Sequence, residues 1–246
     1  MKKGSFKGLL CREFYLIKPS IPEMLIGTLS MTVLSVLVVL SFRFGNLALI
    51  EELKFEDFDE GIKLFPVLGA AMFSLSAADA TVRDISPIWE RFRKTTPVSA
   101  MRLALAKYTA ITIVITASVV LSFGTLLMMC AVVGTPVTAG DIALTLAVIA
   151  FCVLYVVSGQ LLITYFRHRD KGMLATMVVL MGTLVMIFIL TDSFSKDGRN
   201  TEEANAFVLE VKNALVDVAP IMVLVIIVLI CGGCYATAML YKRREK

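Results

Sequence analysis

The chain has 246 residues, of which 58% are hydrophobic and only 18% are charged, and its mean hydropathy is +0.83. Soluble domains contain about 45–50% apolar and about 25% charged residues, so this composition excludes an ordinary water-soluble protein. The net charge of +4 is spread over several segments that flank apolar runs. Because these basic residues do not form one patch, nucleic acid is excluded as a partner.

Six apolar stretches are long enough to cross a bilayer, which takes about 20 mostly apolar residues. They lie near residues 24–44, 64–82, 103–134, 142–166, 173–191 and 219–241. The sequence therefore predicts an all-α membrane protein with a single transmembrane domain over 1–246.

The distribution of lysine and arginine predicts the orientation of these spans. With the amino terminus inside, the four inner segments carry 18 of the 24 basic residues, whereas 13 of the 20 acidic residues lie outside. Basic residues near span ends are retained on the cytoplasmic side. We therefore expect both termini to be cytoplasmic.

An amphipathic segment precedes the first span. Residues 4–18 place Phe6, Leu9, Phe14 and Ile17 at helical spacing, with charged residues elsewhere around the helix. This pattern predicts an interfacial elbow helix at the inner surface.

The second span is rich in small residues, which allow close approach of helices in lipid. It also contains Asp79, the single ionisable residue clearly inside a predicted span. A carboxylate there would be costly if it faced lipid. A local ion pair with Arg83, one turn later, is favoured over a proton-relay role.

A short helix is predicted in the cytoplasmic segment between spans two and three. Ser86 and Pro87 begin it, and Thr96 before Pro97 ends it. Its apolar face consists of Ile88, Trp89 and Phe92, opposite Glu90, Arg91, Arg93 and Lys94. On these residues alone, a connector resting on the headgroups is favoured over a docking surface for a cytoplasmic partner.

A second amphipathic helix is predicted outside, over residues 201–218. Phe207, Val211 and Leu215 recur at three- to four-residue spacing. They are candidate extracellular gate residues, but a packed connector fits the same pattern.

The sequence lacks the motifs that several kinds of binding and catalytic site require. There is no GxxxxGK[ST] loop for phosphate, and the single histidine, His168, excludes an HExxH zinc site. The five cysteines form no extracellular disulfide framework, and we expect them to be reduced packing residues. The Cys231–Cys234 CxxC lies within a span, where thiolates are unfavourable. We therefore expect no catalytic residue, metal site or cofactor, and ATP could act only through another chain.

The stretch from Asp84 through Trp89, Glu90, Arg91 and a Pro97-Val98-Ser99 turn to Lys107-Tyr108 resembles the permease subunits of bacterial type-2 ABC exporters. The likeness is greatest to the small permeases that export phenol-soluble modulins, which are amphipathic peptides. The topology match covers essentially the whole chain, whereas the residue-level match covers about residues 84–108.

The resemblance implies that the helix at 86–94 is a coupling helix, which reverses the preference stated above. Trp89 and Phe92, beside Ile88, would enter a groove of a separate ATP-binding subunit, Glu90 and Arg91 would form salt bridges, and Asp84 and Pro97 would fix the helix ends. It further implies a second permease subunit, expected as a homodimer, two ATPase copies that bind ATP and magnesium, and a location in the bacterial plasma membrane.

The main alternative is a stand-alone membrane immunity or sensor protein that acts through its outer helix without an ATPase. A neighbouring open reading frame with a Walker motif would favour the exporter.

Overall fold

The computed structural model describes residues 6–44, 59–77, 98–166, 171–172, 174–178 and 201–244. Within these ranges the chain is helical apart from short turns. The long helices are α1 (Phe6–Ile17), α2 (Ser20–Phe44), α3 (Asp59–Met72, followed by a 3-10 turn at Phe73–Leu75), α4 (Ala100–Val133), α5 (Ala139–Phe166) and α6 (Thr201–Arg244). The all-α prediction is thus confirmed for the described part of the chain.

Four helices of this described part are long and apolar enough to cross a membrane. These candidate spans are Ser20–Ser41, Ala100–Val133, Ala139–Phe166 and Glu210–Arg243, and they coincide with predicted spans one, three, four and six. The chain is therefore a multi-pass membrane protein. Of predicted span two, the described part includes the shorter apolar helix Phe65–Leu75. Of predicted span five it includes residues 174–178, so the count of six and the orientation stay predictions.

The elbow helix predicted at 4–18 corresponds to α1, which ends at Ile17 before a turn at residues 18–19. Leu9, Leu16 and Ile17 are buried in a core that α1 shares with α4, while Tyr15 is exposed. The apolar face of α1 therefore packs against another helix of the bundle.

The long helix α4 is the centre of the described bundle, because α1, α2, α3, α5 and α6 all pack against it. Its 34 residues extend for about 50 Å, well beyond the hydrocarbon core of about 30 Å. Gly134 ends α4 with a left-handed backbone (φ 86°), and its N–H donates to the carbonyl of Cys130 (2.8 Å). Glycine suits this position because it adopts positive φ without steric cost.

One boundary differs from the prediction. The sequence predicted an outer helix at 201–218 and a separate span at 219–241, but the structure has one helix, α6, across both. Pro220 lies inside it and lacks the N–H that would donate to the carbonyl of Val216. Helical periodicity on both sides, with no glycine at the junction, lets the helix continue for about 66 Å.

Candidate coupling and gate sites

The predicted coupling residues lie outside the described residues. This holds for the predicted site residues Asp79, Asp84, Ile88, Trp89, Glu90, Arg91, Phe92 and Pro97. The structure resumes at Val98, and Ser99 precedes α4 with an extended backbone (φ −67°, ψ 144°), as expected for an N-cap. Its carbonyl accepts from the N–H of Leu103 (3.2 Å), so the central helix begins three residues after Pro97.

The Lys107-Tyr108 pair, which ends the stretch that resembles ABC permeases, lies deep in the bundle. Lys107 is 2% exposed and Tyr108 is 3% exposed. The hydroxyl groups of Tyr108 and Thr237 are 3.2 Å apart and share a hydrogen bond. This bond joins α4 to α6 in the half of the bundle near the carboxyl terminus.

Gly233 allows α4, α5 and α6 to meet at that level. A Cβ atom at position 233 would lie 2.7 Å from both Tyr108 Oη and Val157 Cγ1, whereas a Cβ at Gly232 would meet nothing within 4 Å. One glycine of the CGGC motif is therefore needed for close packing, and its neighbour faces open space.

The cysteines are all free, but they differ in environment. Cys130, Cys152 and Cys234 are buried, which fits the predicted packing role, whereas Cys11 and Cys231 are exposed. Among the described residues no group of three or more His, Cys, Asp or Glu side chains is placed to hold a metal ion.

The small residues of the second predicted span form a tight helix contact, as expected. Thr28 of α2 donates to the carbonyl of Gly69 (3.0 Å), and Ser118 of α4 donates to the carbonyls of Ala70 and Ala71 (3.0 and 3.1 Å). Each of these hydroxyl groups donates to a backbone carbonyl of α3. The bonds therefore attach α3 to both α2 and α4 just before its 3-10 turn.

A buried ion pair lies at the opposite end of the bundle from Tyr108. Lys212 Nζ of α6 is 2.8 Å from Asp141 Oδ1 of α5, and the two side chains are only 7% and 4% exposed. A Cβ at Gly140 would lie 2.9 Å from Lys212 Cβ. The lysine side chain therefore passes directly across the start of α5 on its way to the carboxylate.

Asp141 is held by the start of its own helix as well. The N–H of Thr138 donates to Asp141 Oδ2 (2.9 Å), and the N–H of Asp141 donates to Thr138 Oγ1 (3.2 Å). These reciprocal bonds are a capping box with aspartate in the third position. The capping box thus fixes the carboxylate at the position where it contacts Lys212.

The ion pair shows that the side chain of this segment that packs into the bundle is not one of the three predicted gate residues. Of the three gate candidates, Val211 is 37% exposed, Leu215 is partly buried, and the side chain of Phe207 lies outside the described part. Lys212, next to Val211, is the side chain that enters the bundle. Sequence reasoning missed the pair, although Thr138-x-x-Asp141 is a recognisable capping signal and Lys212 stands among acidic residues.

Comparison with models of protein families, with curated proteins and with solved structures finds no match for this chain.

Proposed function

We propose that this chain is the permease subunit of an ATP-driven exporter, with six spans and both termini in the cytoplasm of a bacterial cell. Two copies would form the transport unit, and two separate ATP-binding subunits would supply the energy. The cargo class is amphipathic or hydrophobic peptide. The ATPase partner and the homodimer are inferred from the sequence resemblance to ABC exporter permeases at residues 84–108, and the substrate class is inferred from the overall likeness of the chain to the peptide-exporting permeases.

The observation that best supports the proposal is the placement of α4. This helix begins three residues after Pro97, the last of the predicted coupling residues, and contacts all five other long helices of the described chain. A coupling segment that moved with an ATPase would therefore act on the whole bundle through one helix. Such a transmission element is what an ATP-driven change of access requires.

The elbow helix α1 also supports the proposal. α1 packs against α4, and its Glu13 is 1% exposed and forms an ion pair with Arg12 (Nη1 to Oε1, 2.8 Å). A carboxylate is seldom buried without compensating partners. This ion pair lies within α1, and the buried residues Leu9, Leu16 and Ile17 pack α1 into the core that it shares with α4, the helix that follows the coupling segment.

The test is recovery of an ATPase with the detergent-solubilised protein from its native membrane. Wild type is compared with Trp89→Ala and with the control Tyr15→Ala. Tyr15 is a suitable control because it is an exposed aromatic residue of α1 outside the predicted docking helix. We expect wild type and Tyr15→Ala to recover an ATPase and Trp89→Ala to lose it.

Each other result has a distinct meaning. If no variant recovers an ATPase, the exporter proposal fails and the stand-alone immunity or sensor alternative takes its place. If Trp89→Ala recovers as much ATPase as wild type, the docking role of residues 86–94 is wrong.

A further inference from the structure

A groove of about 400 Å³ lies between the start of α4 and the end of α6. Its floor includes Ala100 and Ala238, which are both nearly buried. Their small side chains leave the space between the two helices open. At this end of the bundle the candidate span Ala100–Val133 begins and the candidate span Glu210–Arg243 ends.

The walls of the groove are apolar and accessible. Met101, Tyr235 and Met239 line it, and each side chain is exposed. Tyr235 and Met239 are four positions apart and therefore lie on one side of α6. An accessible apolar wall inside a membrane span suits a hydrocarbon chain.

The mouth of the groove is basic. Lys242 and Arg243 line it and are exposed, and none of the lining residues is acidic. From Tyr235 to Lys242 the helix rises by about 10 Å, which is comparable to the step from the hydrocarbon into the headgroup layer. The groove thus changes from apolar to cationic along the direction in which a phospholipid changes from chain to anionic headgroup.

We propose that this groove binds an anionic phospholipid. Its phosphate contacts Lys242 and Arg243, and its acyl chain lies along Tyr235 and Met239. Basic sites at the ends of membrane helices attract anionic headgroups electrostatically. The inference goes beyond the transport proposal and needs neither an ATPase nor a substrate peptide.

Two features favour a lipid over other occupants. A soluble protein could contact the basic mouth but could not reach the apolar wall, which lies within a candidate membrane span. A second copy of this chain would bring its own Lys242 and Arg243 toward the same mouth if it packed symmetrically there, and like charges would repel. An anionic lipid matches both the wall and the mouth.

The test is native mass spectrometry of the full chain in detergent, titrated with dioleoyl phosphatidylglycerol or with dioleoyl phosphatidylcholine. The two lipids share acyl chains and differ in net charge. We compare wild type with the double variant Lys242→Gln/Arg243→Gln. The matched control is Lys7→Gln/Lys18→Gln, which removes two exposed lysines, one in α1 and one in the turn that follows it. The swap Lys242→Arg/Arg243→Lys retains the charge, and thermal unfolding shows that each variant is folded.

We expect wild type, the control and the swap to bind phosphatidylglycerol alike. The groove double variant should bind it about tenfold to thirtyfold more weakly, since each basic residue near the membrane surface contributes to anionic attraction. Equal binding by the groove variant and wild type would overturn the proposal, as would equal affinity of wild type for the two lipids. Displacement of the lipid by glycerol 1-phosphate, which lacks chains, would show a free-phosphate site and would also overturn it.

Discussion

Lys212 of α6 and Asp141 of α5 form a buried ion pair of 2.8 Å between residues 71 positions apart in the chain. The pair attaches the amino-terminal segment of α6 to the first turn of α5. Because a capping box already orients the carboxylate, the lysine contacts a fixed partner. The two helices are therefore joined at this end by an ion pair as well as by the packing of their side chains.

Replacement of Lys212 by methionine should destabilise the protein. The variant leaves Asp141 buried without its cation, which costs about 3 kcal/mol or more. Thermal unfolding in detergent measures the effect. Lys7→Met, which removes an exposed lysine of α1, should change stability by less than about 0.5 kcal/mol. Equal midpoints for Lys212→Met and wild type would show that the pair does not hold the helices together.

The two adjacent glycines at 232 and 233 should differ in their tolerance of alanine. Gly233→Ala places a Cβ within 2.7 Å of Tyr108 Oη and Val157 Cγ1 and should cost about 1–3 kcal/mol through overpacking. Gly232→Ala places a Cβ in open space and should be neutral or slightly stabilising, because alanine favours helix. The same unfolding assay compares them, and a larger loss at Gly232 would contradict the described packing of α6.

Two buried serines of α4, one turn apart, provide a test of the α3 contact. Ser118 donates to the carbonyls of Ala70 and Ala71, whereas the buried Ser122 hydroxyl has no hydrogen-bond partner in the described part of the chain. Ser118→Ala should destabilise by about 0.6 kcal/mol, a typical value for bonds between membrane helices. Ser122→Ala should be neutral. We expect the unfolding midpoint of Ser118→Ala to be lower than that of Ser122→Ala. The reverse order would be inconsistent with these contacts.

The proposed coupling helix should be sensitive to charge reversal. Arg91→Glu should abolish stimulation of the partner ATPase while leaving membrane insertion intact, because a groove that accepts Arg91, Arg93 and Lys94 should carry acidic residues. The readout is ATP hydrolysis by the reconstituted complex. Lys171→Glu reverses an exposed charge elsewhere and should retain stimulation. Full stimulation with Arg91→Glu would refute the docking assignment.

The amphipathic pattern of residues 201–218 shows the limit of reading an element locally. Its periodicity correctly predicted helix, but it did not predict that the helix continues through Pro220 into the span. The pattern also selected its apolar residues, Phe207, Val211 and Leu215, as the candidate gate residues. The residue that enters the bundle is Lys212, which a hydropathy pattern assigns to solvent.

The sequence by itself determined that this protein lies in a lipid bilayer and that its chain is helical. Long apolar runs with few charges require a bilayer, and a chain in a bilayer satisfies its backbone by forming helices. Both properties depend on neighbouring residues and can be read from a short window. The elbow helix α1 and the small-residue face of α3 were predictable for the same reason.

Only the tertiary structure decided which side chains meet. The pairing of Lys212 with Asp141, the need for glycine at 233 but not at 232, and the groove between Ala100 and Lys242 all involve residues far apart in the chain. Their identity depends on the rotation and depth of each helix in the bundle. Hydropathy determines that a helix lies in the membrane, but it leaves rotation and depth to the packing of one helix against another.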